Sequence, residues 1–421
     1  MYSIVLLVFF IILVSFCKKE IIIKLYTSLY CLILCIINIF QYNTLNYFSK
    51  DFSIVIPFIC LLCSIWITNN NIYKYKPFCI SFLLFVFFAT EAFIQDNIFF
   101  IYACIEISFI PMITMLLFYN KDYKLKIIYQ YLLYTLISAI FILIGIIEIY
   151  NNTNSVLLSE IYKIGVKNKV PLYMLSIGTA IKLPIFPFHY WVPSVHGRAP
   201  GICSVLLSSI VLKFSSLILL KIIIPLFNIS VYKYIWYFVS LGILISSLQA
   251  IYSKNLKIII AYSSIIHMGL YTFILQNYNN TKYFIYCILQ HTFTMTLSFL
   301  VLDLLKNNYK DLTFNKIIIK NKHELILLII STLTIIDFPV TWGFIAEIIS
   351  IFSIMHYNII IASIVGLSLL LYSSYLVYIC FIVFKNSNII NNTRINIFYI
   401  IIISILIFII ILLGIIPKIY L

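Results

Sequence analysis

Long apolar runs follow one another from end to end of this 421-residue chain, separated only by short polar breaks. Each run has about the length that a helix needs to cross the hydrocarbon core of a bilayer. Hydrophobic residues make up 63% of the sequence and charged residues 10%, so very little of the chain can lie in water. Because lipid cannot satisfy backbone polar groups, such runs must cross as helices. The sequence predicts an all-α, polytopic membrane protein.

The polar breaks divide the chain into about fourteen predicted transmembrane helices. Their approximate limits are 1–17, 23–41, 53–68, 77–95, 97–118, 125–150, 170–190, 201–225, 230–251, 256–276, 280–305, 324–354, 358–385 and 395–420. No loop between them is long enough to fold as a separate domain. We therefore expect a protein that consists almost entirely of membrane-embedded helices.

Two of these segments, the seventh and the twelfth, contain helix-breaking residues next to an ionisable side chain. The two stretches are Lys182-Leu-Pro184-Ile-Phe-Pro187 and Asp337-Phe-Pro339-Val-Thr-Trp-Gly343-Phe-Ile-Ala-Glu347. A broken helix exposes backbone groups that lipid cannot satisfy, and a charge near the bilayer centre costs at least about 2.5–3.5 kcal/mol. Discontinuous helices beside a binding site are typical of ion transporters. The breaks therefore predict ion transport.

The spacing of the two breaks predicts an internal repeat. They lie five spans apart, and an odd offset reverses the direction in which the second copy crosses the membrane. We expect N-terminal helices over 1–76, a first five-helix repeat over 77–225, a second, inverted five-helix repeat over 226–385 and a C-terminal helix over 386–421. Each repeat would contain one broken helix.

Further ionisable side chains lie within apolar segments and away from their ends. They are Glu106, Lys213, His267 and His291. A bilayer interior disfavours the charged forms of Lys and Glu, which brings proton exchange within reach of neutral pH, and neutral His can pass a proton between its ring nitrogens. A single such residue could be a structural contact between helices. So many in one chain, together with the two broken helices, favour a proton pathway.

Other functional classes fit the sequence poorly. The formal net charge is +15, but the Lys residues are scattered through short loops and form no basic stripe of the kind that nucleic acid requires. One Cys60-x-x-Cys63 pair lies inside an apolar span without a second pair, so we expect no metal site. A purely structural membrane scaffold is an alternative that the helices alone leave open.

Three blocks of sequence surround the ionisable residues. They are Lys182-Leu-Pro-Ile-Phe-Pro-Phe-His189-Tyr-Trp191-Val-Pro193-Ser-Val-His196-Gly-Arg-Ala199-Pro200 with the following Ser204-Val-Leu-Leu-Ser-Ser-Ile-Val-Leu-Lys213, then Lys257-Ile-Ile-Ile-Ala261-Tyr-Ser-Ser-Ile-Ile-His267-Met-Gly269, and Gly343-Phe-Ile-Ala-Glu347. These blocks resemble the antiporter-like membrane subunits of respiratory complex I, NADH:ubiquinone oxidoreductase. With Glu347 in its twelfth span, the chain resembles subunit 4, because subunits 2 and 5 are expected to carry Lys at that position. The resemblance extends over about residues 95 to 385.

The resemblance implies roles for the ionisable residues. Glu106 and Lys182 would form a modulating pair, and Lys213 would be the central proton carrier. Glu347 would be the terminal carrier, with the two intramembrane His residues on the connecting axis. The implied function is proton translocation, coupled to electron transfer from NADH to ubiquinone elsewhere in the complex.

The resemblance also implies what this chain binds. FMN, the iron–sulfur clusters and ubiquinone would belong to other subunits, so we expect no redox centre and no cofactor on this chain, although it would be part of an NADH:ubiquinone reductase. Expected partners are the other complex I membrane subunits, especially subunits 2 and 5, and membrane lipid, but not nucleic acid. A subunit of a multisubunit cation/proton antiporter is the alternative, because that related group shares the broken helices.

The chain departs from the family pattern at a few positions. Arg198 stands where an acidic residue is usual, and Asp337 stands where an apolar residue is usual. Ser215 and Ser216 replace glycines that commonly follow the Lys of the eighth span. The first ninety residues also match the family pattern poorly. These departures affect the loop contacts and the N-terminal helices more than the ionisable axis.

Location and topology follow from composition and loop charge. Heavy use of Ile, Phe, Tyr, Asn and Lys suits an A+T-rich organelle genome, which together with the resemblance predicts the mitochondrial inner membrane. Loops after odd-numbered spans are rich in Lys, whereas the others are poorer, with Lys163, Lys167 and Lys169 as the main exception. By the positive-inside rule the odd loops face the compartment of protein synthesis.

This topology can be tested directly. Both termini should lie on the intermembrane-space side, opposite the Lys-rich segment 306–322, because cytoplasmic-type loops retain positive charge. Protease protection of tagged termini in sealed membranes measures the side of each. Termini found on the same side as segment 306–322 would reject the topology.

Overall fold

The structure, a computed structural model, describes residues 2–41, 47–67, 72, 74–119, 124–227, 233–276, 280–309, 312–387 and 397–417. Within these ranges the regular structure is helical, apart from two isolated antiparallel bridges. Eleven helices there are long and apolar enough to cross a membrane, and three shorter apolar helices accompany them. The prediction of an all-α, multi-pass membrane protein is confirmed, whereas the number of fourteen crossings stays a prediction.

The helices carry labels in chain order. They are α1 (Tyr2–Phe16), α2 (Glu20–Phe40), α3 (Tyr47–Trp66), α4 (Tyr75–Ile94), α5 (Ile98–Tyr119), α6 (Lys124–Thr153), α7 (Leu158–Ile164), α8 (Val170–Lys182), α9 (Trp191–His196), α10 (Gly201–Leu226), α11 (Lys233–Tyr252), α12 (Leu256–Thr272), α13 (Thr281–Asn308), α14 (Lys322–Ile335), α15 (Trp342–Tyr357), α16 (Ile359–Asn386) and α17 (Ile397–Ile415). Helix α3 begins before its predicted limit of 53, because Lys50 and Asp51 interrupt the apolar run without interrupting backbone hydrogen bonding. Helix α7 lies in a segment predicted as a loop.

The chain forms two compact units. The first comprises Met1–Thr179 with Phe214–Phe227, and the second comprises Ala180–Lys213 with Asn228–Leu421. Helix α10 therefore contributes its beginning to the second unit and its end to the first. The division into two five-helix repeats stays a prediction.

In the first unit, Lys221 holds the C-terminal end of α4. Its Nζ donates to the carbonyl of Phe93 at 2.7 Å and to that of Gln95 at 2.8 Å, and it lies 3.7 Å from Asp96 Oδ1. The last carbonyls of a helix have no partner inside that helix and carry partial negative charge. A buried ammonium group satisfies both requirements, so Lys221 stabilises the turn between α4 and α5.

One local construction occurs in both units, at the start of α5 and at the start of α12. The side chains of Asn97 and Asn255 each accept a hydrogen bond from the amide two residues ahead, at 3.0 and 2.9 Å. Each Asn also forms an antiparallel bridge, Asn97 with Leu157 and Asn255 with Thr313. In the first unit the bridge connects the start of α5 to the segment after α6. In the second unit it connects the start of α12 to the segment after α13.

The helix that precedes each Asn ends in a similar way. After α11, the carbonyl of Ser253 accepts a hydrogen bond from the hydroxyl of Tyr375 at 3.0 Å, just as the carbonyl of Gln95 after α4 accepts one from Lys221. This agreement of local contacts supports an internal repeat. The inverted relation of the two copies stays a prediction.

The most buried long helices of the second unit carry many polar residues. Nearly every residue of α12 is buried, and so is the whole of α13 from position 284 to 305. Inside a bilayer such side chains must find partners in the protein. Asp303 Oδ1 accepts the amide proton of Gly201 at 3.1 Å, where α10 begins, and Lys257 Nζ donates to the carbonyl of Ala199 at 3.1 Å. These contacts fix the loop that leads into α10.

The paired Asn caps give a prediction about stability. Asn97→Ala and Asn255→Ala should each lower the free energy of unfolding by about 0.5–2 kcal/mol, because a first-turn amide loses its acceptor. Thermal unfolding of the detergent-solubilised protein measures the effect as a lower Tm. Asn→Asp at the same positions is the control, since Asp also caps helices. Parental Tm values in both Ala variants would contradict the prediction.

Candidate functional site

The first break begins where α8 ends, at Lys182. Pro184 and Pro187 follow, and proline has no backbone N–H to donate, so the helix stops and resumes only at α9. The carbonyl of Ile181 accepts a hydrogen bond from the Trp191 indole at 3.1 Å, which provides a partner at the helix end. Lys182 is buried. The break therefore places an ionisable side chain inside the protein.

The second break separates α14 from α15 and contains Pro339. Asp337 has a φ of 57° and Val340 a φ of 86°, both in the left-handed region. Asp tolerates that region, but a β-branched residue rarely adopts it. A backbone of this kind costs about 1–3 kcal/mol and persists only where the surrounding structure holds it. Packing therefore holds the second break in one defined shape, with Asp337 buried at its centre.

Lys213 lies in α10, directly after a π-turn. In that turn the amide of Leu212 bonds to the carbonyl of Leu207, five residues back. The fully buried Lys213 donates from Nζ to the carbonyl of Ser208 at 2.6 Å, and Nζ lies 2.6 Å from Nδ1 of His291. π-turns within α-helices often mark functional positions. Lys213 and His291 are thus in direct contact, although 78 residues separate them in the sequence.

His291 leads to the second intramembrane histidine. The ring of His267 lies at a right angle to that of His291, with 6.2 Å between centroids. On the far side, His267 Nε2 lies 3.6 Å from Asp337 Oδ2. One nitrogen of His291 thus lies beside Lys213, and one nitrogen of His267 lies near Asp337. The other nitrogens, Nε2 of His291 and Nδ1 of His267, have no hydrogen-bond partner within the described part of the chain.

Asp337 is held by a second set of contacts. Its Oδ1 accepts from Gln290 Nε2 at 3.2 Å, and Gln290 Oε1 accepts from the Tyr271 hydroxyl at 2.8 Å. Gly343 makes room for this arrangement, because a Cβ at that position would lie 1.7 Å from Asp337 Oδ1. The glycine of the second break is therefore required by the close approach of a carboxylate.

Two predicted carboxylates take no part in these hydrogen bonds and ring contacts. Glu347 is half-buried in the second turn of α15, four residues after Gly343. Glu106 is half-buried midway along α5, in the first unit. The predicted pairing of Glu106 with Lys182 stays a prediction. Five of the six predicted ionisable residues belong to the second unit.

Several participants were not identified from the sequence. Gln290 and Tyr271 belong to neutral residue types that are common in membrane helices, and the Ser208 carbonyl is a backbone atom. Asp337 stands beside the second break, but the sequence motifs predict no role for it. The pattern Lys182-x-Pro184 and Asp337-x-Pro339 is the signal that could have marked it, since both breaks place an ionisable residue two positions before the first proline.

The fold and the site define a class of protein. Helices broken within apolar segments, beside a buried line of ionisable side chains, are the architecture of polytopic ion-transporting membrane proteins. The model of one family in that class, described as NADH:quinone oxidoreductase/Mrp antiporter, TM, matches residues 95–373. The chain belongs to this family, as the sequence motifs predicted.

Curated relatives agree with the family model. NADH-quinone oxidoreductase subunit M of Rickettsia typhi is 30% identical over 341 residues, which are 77% of this chain and 68% of the relative. NADH-ubiquinone oxidoreductase chain 4 of Acanthamoeba castellanii is 27% identical over 336 residues, covering 76% of this chain and 66% of the relative. Chain 4 of Arabidopsis thaliana is 26% identical, covering 80% and 71%.

Solved structures share the fold. A chain of the archaeal membrane-bound sulfane sulfur reductase has a TM-score of 0.89 at 19% identity, over 99% of this chain and 93% of that one. A chain of respiratory complex I from Thermus thermophilus with bound NADH has a TM-score of 0.88 at 17% identity, over 99% and 96%. A chain of the Mrp complex from Dietzia sp. has 0.83 at 15% identity, over 94% and 80%. All three belong to multisubunit membrane complexes.

Gly343 gives a prediction with a matched control. Gly343→Ala should lower the free energy of unfolding by about 1–3 kcal/mol, because the added methyl group overlaps the Asp337 carboxylate. Gly366→Ala is the control, since a Cβ there meets no atom within 4 Å. Thermal unfolding of the solubilised protein compares the two variants. Equal Tm values would contradict the packing described for the second break.

Proposed function

We propose that this chain is a proton-translocating membrane subunit of respiratory complex I, of the subunit 4 type. The observation that carries the proposal is the buried contact of Lys213 with His291, continued by His267. The chain would hold no redox centre itself. It would be coupled to the transfer of electrons from NADH to ubiquinone through conformational and electrostatic changes in neighbouring subunits.

The contact geometry supports a simple exchange step. With Lys213 protonated, its ammonium donates to Nδ1 of His291, and the ring then carries its own proton on Nε2. Transfer of the shared proton leaves neutral Lys213 and a positive imidazolium, which can release a proton from Nε2. At 2.6 Å the first transfer requires no helix movement. The Ser208 carbonyl holds Nζ in place during the exchange.

Passage from His291 to His267 requires a further event. The ring centroids are 6.2 Å apart, so the proton must cross through a water molecule or by rotation of a ring. Such a step can be gated, which is what a pump needs to prevent backflow. The pathway would end at Glu347, and Glu106 with Lys182 would modulate the charge of Lys213 at the other end.

Relatives and neighbours support complex I as the assembly. The curated relatives include subunits of NADH-quinone oxidoreductase and of its mitochondrial counterpart. We therefore propose the mitochondrial inner membrane as the location, both termini on the intermembrane-space side, and subunits 2 and 5 as neighbours. The Mrp neighbour keeps a cation/proton antiporter as the second candidate.

Purification of the native assembly separates these two candidates. Solubilised in mild detergent, the chain should migrate with flavin and iron–sulfur subunits and with NADH dehydrogenase activity. An assembly without flavin that contains only membrane subunits would favour the antiporter. A chain that migrates alone would reject both assemblies.

The proton pathway predicts the effect of two substitutions. Lys213→Met and Glu106→Gln keep side-chain volume but remove the titrating group, so coupled NADH:ubiquinone turnover and proton uptake should fall together by about tenfold or more. Both are measured on the assembled complex in sealed proteoliposomes. The control is Lys316→Met, which removes a charge from an exposed position.

The outcomes discriminate between transport and scaffold. Normal assembly with loss of proton uptake in Lys213→Met supports the pathway. If both substitutions leave turnover and proton uptake at the level of the Lys316→Met control, the chain is a structural scaffold and the proposed function is wrong.

A further inference from the structure

We propose that Asp337 is an additional proton-carrying residue, which receives the proton from His267 and passes it toward Glu347. The inference rests on the proposed function and adds a carrier to its pathway.

The position of Asp337 suits transfer from His267. Asp337 Oδ2 lies 3.6 Å from His267 Nε2, slightly beyond hydrogen-bonding distance. Both side chains are 3% exposed or less, so bulk water does not compete for the proton. A side-chain movement of less than 1 Å would close the gap (hydrogen bonds of this type span about 2.7–3.2 Å). The contact can therefore open and close without a change in the helices.

The two oxygens of Asp337 differ. Oδ1 accepts from Gln290, which is itself oriented by Tyr271. Oδ2 is buried and has no hydrogen-bond partner among the residues that the structure describes. An unsatisfied buried oxygen is unfavourable in a group with a purely structural role. The arrangement holds the carboxyl group by one oxygen and leaves the other to bind a proton.

A permanent ion pair with His267 explains these contacts less well. Charge-assisted hydrogen bonds are short, at about 2.7–2.9 Å between nitrogen and oxygen, and this contact is longer. Glu347 stands four residues after Gly343 on α15, so it shares the helix face that approaches Asp337. Two neighbouring carboxylates in a dry site disfavour simultaneous ionisation. One proton shared among His267, Asp337 and Glu347 relieves that repulsion.

The second break is built around this carboxylate. Asp337 is in the left-handed region at φ 57°, and Gly343 lacks the Cβ that would collide with Oδ1. Asp337 also stands two positions before Pro339, as Lys182 stands before Pro184. Each broken helix thus carries one buried ionisable residue two positions before its first proline. In the first break that residue is a base and in the second an acid.

The transfer step conserves charge. The N–H bond at Nε2 of the His267 imidazolium breaks, and an O–H bond forms at Oδ2 of Asp337. A cation and an anion become a neutral imidazole and a neutral carboxylic acid, and no electron moves. The acid then releases its proton toward the Glu347 carboxylate, which restores the Asp337 carboxylate for the next cycle.

Asp337→Asn is the discriminating substitution. Asn tolerates the left-handed region as Asp does, and its Oδ1 can still accept from Gln290, so only the acid is lost. The matched control is Asp303→Asn, in which a buried oxygen still accepts the Gly201 amide proton. Proton uptake and NADH:ubiquinone turnover of the assembled complex are compared in proteoliposomes, with Lys213→Met measured alongside.

We expect Asp337→Asn to lower coupled proton uptake about tenfold or more, with Asp303→Asn at the parental level. Parental uptake in Asp337→Asn, with uptake lost in Lys213→Met, would overturn the role of Asp337 and leave the proposed function standing. Parental uptake in both Asp337→Asn and Lys213→Met would overturn both.

A second measurement decides the matter if Asp337→Asn does not assemble. Dicyclohexylcarbodiimide modifies protonated carboxyl groups in apolar surroundings, and peptide mass spectrometry locates the modified residue in the unsubstituted complex. We expect modification of Asp337, with a rate that increases when the complex turns over NADH. Modification of Glu347 without modification of Asp337 would overturn the inference.

Discussion

Polar groups inside a bilayer have no water to bind, and the arrangement of this chain follows from that constraint. Each break in a helix and each buried charge must find a partner within the protein. At the first break an indole provides it, since Trp191 donates to the carbonyl of Ile181. At the end of α4 an ammonium group does so, since Lys221 donates to two carbonyls. These two contacts satisfy backbone carbonyls that lipid could not.

At the candidate site, some buried polar atoms are left unsatisfied within the ranges that the structure describes. Lys213 and His291 are in direct contact, yet one nitrogen of each intramembrane His and one oxygen of Asp337 have no partner among the described residues. Unsatisfied atoms are unfavourable in a static core. Along a line of titratable groups they are the atoms between which a proton can move. The candidate site therefore combines side chains held by hydrogen bonds with atoms that are free to bind a proton.

The strained backbone of the second break is explained by the position of Asp337. Val340 adopts a backbone conformation that β-branched residues avoid, and Gly343 accepts a carboxylate where any side chain would collide. Both features keep Asp337 at one position between α12, α13 and α15. The protein thus stabilises a costly local backbone in order to hold one acid beside His267.

Much of this protein could be predicted from its sequence. Apolar length identified the helices because lipid imposes that length on any spanning segment, and Pro184, Pro339 and the charges beside them marked both breaks because such residues are too costly to be incidental. The motifs around Lys213 and His267 placed the chain in its family. The start of α3 was missed, since hydropathy reports the apolar run and not the end of backbone hydrogen bonding.

Only the tertiary structure decided which of these residues meet. Helical periodicity tells which side chains share a face, but not which helix that face contacts. The contact of Lys213 with His291 and the support of Asp337 by Gln290 depend on packing between segments distant in sequence. The sequence by itself thus determined the kinds of ionisable group at the candidate site, whereas packing determined which of them lie in contact, because those distances are set only by the folded chain.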